Sequence, residues 1–206
     1  MMFPALWLAF IACTAASVLR KQINAIPIAY RTVGADQAAK YQSKGTIQWE
    51  VPTVRQLGSS DQLGQGVYLS PVLGDWPGEA NGYFCAILAD STAWNNINKV
   101  YMPKETTDES PKPLWFTQGV PNRPAFLMTV GGRGYTTANT VLISPIYGSE
   151  EKTQFLIPPA LLSSSNPLSI SVQCAAKSNG PAWQALQAAY GTINWRNWQG
   201  LKGPVP

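Results

Sequence analysis

The 206-residue chain contains 15 Lys and Arg residues, 11 Asp and Glu residues and no histidine, which gives a formal net charge of +4 at pH 7. Without histidine, Ser-His-Asp and Cys-His catalysis, histidine zinc sites and histidine-based nuclease chemistry are excluded, so any reaction must use carboxylates, hydroxyls, amides or arginine. The basic residues are scattered singly, so nucleic acid is not expected as a partner, and 17 Gly and 17 Pro residues favour a loop-rich, β-dominated domain.

The first 17 residues form an apolar run that ends in small residues. The run is shorter than the roughly 20 apolar residues that span a bilayer, and it is typical of a cleaved secretory signal peptide. We therefore expect residues 1–17 to be a signal peptide, residues 18–206 to form a single extracellular domain, and no membrane partner. Cleavage removes Cys13 and leaves Cys85 and Cys174. In an oxidising compartment this pair favours a disulfide, with two buried free thiols as the alternative.

The first predicted strand, residues 26–33, carries Arg31 among apolar and aromatic neighbours. An arginine in this context is either a surface residue of an edge strand or a buried phosphate ligand. Residues 36–45 then predict a short helix, because Asp36 is a suitable cap and Gly45 a suitable end. Arg31 is thus expected at the end of a strand that turns into a helix.

The stretch Leu-Gly-Gln-Gly-Val-Tyr-Leu-Ser-Pro at residues 63–71 is the second notable segment. Gly64 and Gly66 lack a Cβ, so the backbone there can turn tightly or approach a ligand closely. The next three residues suit a strand, and Ser70 at its end could face a cleft, with residues 74–78 at the rim. An ordinary structural turn and strand is the alternative interpretation.

The rest of the chain alternates short apolar segments with turns. Strands are predicted at residues 83–89, 99–103, 140–144 and 168–174, and apolar runs of strand length lie at 114–116 and 125–130. A brief helix or turn is predicted at 90–96, a surface loop at 104–113 and a turn at 131–135, which lacks the ending of a phosphate-binding P-loop. A Glu-rich turn at 147–151 leads into a strand that ends at two prolines. Pro181 and Gly191 bound a predicted helix, and residues 195–198 are expected to pack back on the domain.

Three pieces follow one another in the chain: the strand with Arg31, the Gly-x-Tyr-x-Ser strand that ends at Ser70, and the acidic turn before the Pro-ended strand. This order resembles the Arg–Ser–Glu class of mono-ADP-ribosyltransferases, the cholera-toxin-like superfamily, and in particular its fungal secreted members. The resemblance implies an α+β, mixed but β-dominated ADP-ribosyltransferase-like fold, with two short sheets around a cleft and a few peripheral helices.

The resemblance also implies roles for individual residues. Arg31 would hold the phosphates of NAD, Tyr68 would lie close to the nicotinamide, and Ser70 would be the serine of the second motif, all lining one cleft. The catalytic turn would lie near Glu151 and Gln154. Cleavage of the nicotinamide bond passes through an oxocarbenium-like state that a carboxylate stabilises, so the chemistry needs no histidine.

The sequence departs from this family at the catalytic position. Members usually carry Glu-x-Glu or Gln-x-Glu directly before a short apolar stretch and a Pro or Gly. Aligning residues 155–158 with that stretch places Gln154 at the catalytic glutamate and Lys152 at its partner, whereas another gap placement recruits Glu151. In the first register Gln154→Glu should raise NAD hydrolysis, and in the second Glu151 is the catalyst.

Two functions follow from this choice. The first is a secreted toxin or effector that transfers ADP-ribose from NAD to a host protein target, or hydrolyses NAD. The second is a catalytically degenerate effector or binding protein that keeps the fold. A carbohydrate-active enzyme ranks third, because Glu150 and Glu151 are adjacent and neighbouring residues of a strand point to opposite faces. We expect a monomer that binds NAD and no metal.

Overall fold

The computed structural model describes residues 24–51 and 61–206, so the predicted signal peptide lies outside the described residues. The described chain is an α+β structure with two sheets, several helices, and somewhat more strand than helix. Within these two ranges, no helix is both long enough and apolar enough to cross a membrane.

The strands are β1 (Ala25–Val33), β2 (Val67–Leu69), β3 (Tyr83–Asp90), β4 (Asn98–Tyr101), β5 (Thr140–Ile146), β6 (Ser149–Ile157), β7 (Ser171–Ala176) and β8 (Leu201–Lys202). The helices are α1 (Ala35–Lys44), α2 (Ser91–Asn96), α3 (Phe116–Gly119), α4 (Arg123–Gly131) and α5 (Gly180–Tyr190), with short 3₁₀ turns at Pro159–Leu162 and Trp195–Asn197.

The strands form two sheets, which one backbone bridge connects. The three-stranded sheet has the order β1-β3-β7 and is antiparallel. The five-stranded sheet has the order β2-β6-β5-β4-β8, in which β4 pairs in parallel with both β5 and β8. An isolated antiparallel bridge between Tyr30 and Ser70 joins β1 to the chain just after β2 and so connects the two sheets.

Apolar side chains divide the molecule into layers. The largest core cluster lies between the sheets, where Ile28 and Ile87 from one sheet and Ile143 and Phe155 from the other are buried. A second cluster packs α4 against the opposite face of the five-stranded sheet, and a third packs residues of α5 near the outer face of the three-stranded sheet. Successive side chains of a strand point to opposite faces of its sheet, and these three clusters cover the faces, so each sheet has buried side chains on both faces.

The structure confirms the strands predicted around residues 26–33, 83–89, 99–103, 140–144 and 168–174, the helices after Arg31 and after Pro181, and the turn at 131–135. It also confirms the disulfide between Cys85 and Cys174. These cysteines are direct partners in the β3–β7 ladder, which explains why two strand-like contexts could be bridged.

The two apolar runs of strand length, residues 114–116 and 125–130, form no strand. Residues 125–130 belong to helix α4, which begins with Arg123 and Pro124, and Phe116 begins helix α3. In α4 Phe126 and Leu127 are buried whereas Met128 is exposed, so one side of the helix faces the core. A largely apolar run of six residues is too short for its sequence to distinguish such a helix from a strand.

The Glu-rich turn is also misplaced in the sequence interpretation. Glu150 and Glu151 already lie in strand β6, and the turn between β5 and β6 is made by Tyr147 and Gly148. Gly148 has φ of 76°, a conformation that glycine adopts without steric cost. The acidic residues are therefore extended, so their side chains alternate between the two faces of the sheet.

Candidate functional site

Arg31 lies near the end of β1, on the same side of the strand as the buried Ala29 and Val33, and is itself half-buried. After Gly34 the chain enters α1, which buries Ala38 and Tyr41. The Nη1 atom of Arg31 donates a hydrogen bond of 2.5 Å to the Tyr41 hydroxyl. The strand and the helix that follows it therefore fix the guanidinium group from two directions.

Arg31 and Tyr41 line a cavity of about 350 Å³ that also contacts Trp49, Gly66 and Val67. Gln37, Gln48 and Glu50 complete its polar lining. The cavity thus joins β1 of one sheet to the Gly-x-Gly segment at the start of β2 in the other.

Gly66 is required for the second strand to reach its place beside β6. Its φ is 151°, and a Cβ at this position would lie 2.4 Å from the carbonyl oxygen of Ile157. The close approach that the sequence predicted is therefore an approach to the backbone of β6. This contact holds the start of β2 at the edge of the Arg31 cavity.

Arg31 has no carboxylate within 4 Å among the described residues. Among the described residues the ion pair within 4 Å is Lys40–Glu50, at 2.9 Å, and both of its side chains are about half exposed. Burial raises the pKa of Tyr41, so its hydroxyl stays neutral at pH 7. A guanidinium group has five N–H donors, and among the described residues that of Arg31 forms one hydrogen bond, to a neutral hydroxyl. The cavity therefore offers a cationic donor suited to an anion.

Tyr68 has a different position from the one expected. Its hydroxyl accepts a hydrogen bond from the Leu63 amide and donates one to the Gly64 carbonyl, both at 2.9 Å. Burial raises its pKa further above the usual tyrosine range, so the hydroxyl remains a neutral donor. Its ring packs against the core cluster beside α4. In this position Tyr68 pins the turn that precedes β2.

Ser70 is buried, and its hydroxyl donates a 2.6 Å hydrogen bond to the Asp75 carboxylate. Because Ser70 is the bridge partner of Tyr30, their side chains share one face, whereas Arg31 points to the other. The common cleft expected for Arg31, Tyr68 and Ser70 is therefore absent from the described structure. The part of the second segment that meets Arg31 is Gly66 and Val67.

Gln154 is buried in β6, with 4 % of its surface exposed. Its Nε2 atom donates to the Ser144 hydroxyl at 3.2 Å and to the Pro145 carbonyl at 3.4 Å. Gln62 makes bonds to the same two groups, and its own Oε1 atom accepts from the Tyr147 amide. This amide cluster ties together the start of the Gly-rich segment and the β5–β6 hairpin.

Glu151 is exposed and lines a second cavity, of about 470 Å³, which also contacts Asp75, Lys152 and Arg196. This cavity lies beside the end of β2 and the start of β6, whereas the Arg31 cavity lies at the start of β2. The structure thus brings Glu151 near the carboxylate that Ser70 binds but not to the cavity of Arg31.

Several residues of these cavities carry no recognisable sequence signal. Trp49 and Glu50 lie in an irregular segment after α1, and Arg196 lies in the tail that the sequence only predicted to pack back. Tyr41 could have been found, because it falls on the side of α1 that also carries Ala38.

The chain belongs to a family of unknown function (DUF5910), whose model matches residues 61–204. No match was found among curated proteins. The matched residues include the Gly-x-Gly segment, both cysteines and the second cavity, whereas Arg31 and helix α1 precede them.

Proposed function

We propose that this protein is a secreted ADP-ribosyltransferase-like binding protein or effector that holds NAD, or its ADP-ribose part, in the Arg31 cavity. One observation supports it above the others: a half-buried arginine without a carboxylate partner among the described residues faces a cavity that two sheets build together. Two of the three pieces on which the resemblance to ADP-ribosyltransferases rests contribute to this cavity: Arg31 of the first strand, and Gly66 and Val67 of the Gly-x-Tyr-x-Ser strand.

The lining suits a nucleotide diphosphate. The guanidinium group of Arg31 can bind two phosphate oxygens at once, and Trp49 offers an aromatic surface for a base. Gln37 and Gln48 supply amide donors and acceptors for ribose hydroxyls. A cavity of this volume is within the ordinary range for small-molecule sites.

The same proposal includes slow or absent cleavage of NAD. Gln154 is neutral, buried and bonded to Ser144, and Glu151 lines a different cavity. Glu50 does line the Arg31 cavity, but it is paired with Lys40. Losing one electrostatic stabiliser of the transition state costs on the order of 10²–10³ in rate, so binding without rapid transfer is the expected behaviour.

Calorimetric titration with NAD, ADP-ribose and adenosine tests this function. We expect NAD and ADP-ribose to bind with similar affinity and adenosine, which lacks the pyrophosphate, to bind at least about tenfold more weakly. Arg31→Gln should weaken NAD binding by about tenfold or more, whereas Arg133→Gln, on the exposed turn after α4, should leave it unchanged.

Nicotinamide release measured on the same samples distinguishes a protein that only binds NAD from an enzyme that cleaves it. Little release by a protein that binds NAD is the expected result. Rapid release that Glu151→Ala abolishes would establish the enzyme instead, with Glu151 as its catalyst. Absence of NAD and ADP-ribose binding, or binding that Arg31→Gln does not affect, would refute the proposed site.

A further inference from the structure

The second cavity has its own polar lining, distinct from that of the Arg31 cavity. Asp75 reaches it from the loop after β2, Glu151, Lys152 and Thr153 from the start of β6, and Asn194 and Arg196 from the segment after α5. Three separate parts of the chain therefore bring carboxylates, cations, an amide and a hydroxyl to one open depression.

The two cations in this cavity have no carboxylate within 4 Å among the residues that the structure describes. The Lys152 Nζ atom reaches the Asp75 backbone carbonyl at 3.4 Å, a long hydrogen bond. The Arg196 guanidinium lies 4.5 Å from the centroid of the Trp195 ring, which is buried and stacked on Tyr101. Arg196 is thus supported on a fixed aromatic surface, and its guanidinium N–H donors form no hydrogen bond with the residues that the structure describes.

The carboxylates supply acceptors beside these donors. Ser70 donates to one oxygen of Asp75 and so orients this half-buried carboxylate, and no described residue donates a hydrogen bond to its other oxygen. Glu151 also lines the cavity and is exposed. Asp75 and Glu151 can accept hydrogen bonds from hydroxyls, whereas Lys152 and Arg196 can pair with a negative charge. The cavity therefore matches a ligand that presents both hydroxyl donors and a negatively charged group.

We infer that this cavity binds an acidic saccharide, a sugar unit that carries a carboxylate. The planar fork of Arg196 pairs bidentately with the sugar carboxylate, and Lys152 adds a second positive charge. Vicinal hydroxyls donate to Asp75 and accept from Asn194. The inference does not rest on NAD binding at Arg31, because the two cavities share no lining residue.

Titration of the whole protein with glucuronic acid, N-acetylneuraminic acid, glucose and glucose 6-phosphate tests the inference by ligand-observed NMR. At least one of the two acidic sugars should bind about tenfold more tightly than glucose, with the advantage reduced at high salt. Arg196→Gln should remove that advantage, and Arg196→Lys should restore only part of it because the fork is lost. Asp75→Asn should weaken glucose, and should weaken the acidic sugars less, because it also removes the repulsion between Asp75 and the sugar carboxylate.

Arg133→Gln is the matched control, since it removes one exposed arginine elsewhere, and thermal unfolding verifies that each variant is folded. Equal affinity for glucose and both acidic sugars, or no binding of any of them, would overturn the inference. Preferential binding of glucose 6-phosphate would also overturn it and identify a phosphate site. An advantage of the acidic sugars that persists in Arg196→Gln would exclude this cavity as their site.

Discussion

Gln154 aligns with the catalytic glutamate of the resembled family but makes structural hydrogen bonds in this fold. It occupies the aligned catalytic position, yet its amide donates to Ser144 and Pro145 inside the β5–β6 hairpin. A carboxylate there would remove both donated bonds and face the Pro145 carbonyl without a proton to donate. Leaving such groups unsatisfied in a buried site costs about 1–3 kcal/mol, and more for a charge.

We therefore expect Gln154→Glu to lower the free energy of unfolding by about 1–3 kcal/mol and not to raise NAD hydrolysis. This revises the sequence-based expectation of increased hydrolysis, because the side chain is buried and does not line the Arg31 cavity. Urea unfolding and nicotinamide release measure the two effects. Glu151→Gln, at an exposed position, should change stability by less than about 0.5 kcal/mol. A Gln154→Glu variant that is as stable as the wild type and hydrolyses NAD faster would support the alignment of Gln154 with the catalytic glutamate.

Lys99 is a fully buried ammonium group on β4. Its Nζ atom donates to the backbone carbonyls of Trp94, Ile97 and Gln199, and it lies 5.3 Å from the Trp94 ring centroid. These bonds link the end of α2 and the C-terminal segment to the five-stranded sheet. Burial nevertheless lowers the pKa of Lys99 to about 8, because desolvation penalises the charged form.

This lowered pKa predicts that stability rises with pH through the alkaline range. Between pH 8 and about 10.5 the unfolded chain keeps a proton on Lys99 that the folded chain releases, so the free energy of unfolding increases with pH. The rise from this group is on the order of 3 kcal/mol. Above about pH 10 tyrosine opposes it, because burial raises the pKa of Tyr30 to about 12 and the unfolded chain then loses protons first.

Lys99→Met tests the assignment, because it keeps the length of the side chain and removes the titrating group. Urea unfolding from pH 7 to 10 should show a rise for the wild type and a nearly flat profile for Lys99→Met. Lys202→Met, on the exposed end of β8, should keep the wild-type slope. Parallel profiles for the wild type and Lys99→Met would show that Lys99 does not titrate in this range.

At the scale of elements, the start of β2 depends on one glycine. Gly66→Ala places a methyl group 2.4 Å from the Ile157 carbonyl in a conformation with φ of 151°. We expect a loss of about 2–4 kcal/mol in unfolding free energy, since backbone strain and overpacking each cost about 1–3 kcal/mol. Gly134→Ala is the control, because nothing lies within 4 Å of the added Cβ. Chemical unfolding of both variants gives the comparison, and an unaffected Gly66→Ala protein would contradict it.

A helix or strand could be predicted from the sequence where its hydrophobic periodicity agreed with the residues that mark its two ends. Residues 181–191 combined a proline at the start, a glycine at the end and good helix formers, and α5 forms there. Residues 125–130 offered only five apolar residues and Thr129, and the helix signal at Arg123–Pro124 lay outside that window. The packing of Phe126 and Leu127 against the second core decided the helix, and a local pattern does not contain that contact.

The candidate site could be predicted only in part, for a topological reason. The resemblance implied one cleft for Arg31, Tyr68 and Ser70. The residues of the second segment that share a cavity with Arg31 are instead Gly66 and Val67. Which side chains share a face depends on the Tyr30–Ser70 bridge, and a shift of one residue in register reverses every side chain. Trp49 and Arg196 were missed because irregular segments have no period that would place them.

At the scale of the whole molecule, the disulfide and Arg31 lie side by side across the three-stranded sheet. Arg31 is the ladder partner of Cys85, and Cys85 is the ladder partner of Cys174. Partners in a ladder share a face, so the disulfide lies on the side of the sheet to which Arg31 points. The bond fixes the outer strand β7 to β3, and β3 in turn fixes the strand that carries Arg31.

The disulfide is therefore expected to support both the fold and the cavity. It joins residues 89 positions apart, and closing a loop of that length stabilises the folded state by about 3–5 kcal/mol in the chain-entropy model. The Cys85→Ala/Cys174→Ala double variant should lose that amount in urea unfolding and, where it remains folded, bind NAD more weakly than the wild type. Intact-mass measurement after alkylation should show no labelled cysteine at either position before reduction and two after it. Labelling of both thiols without reductant would refute the bond, and unchanged stability of the double variant would refute its role.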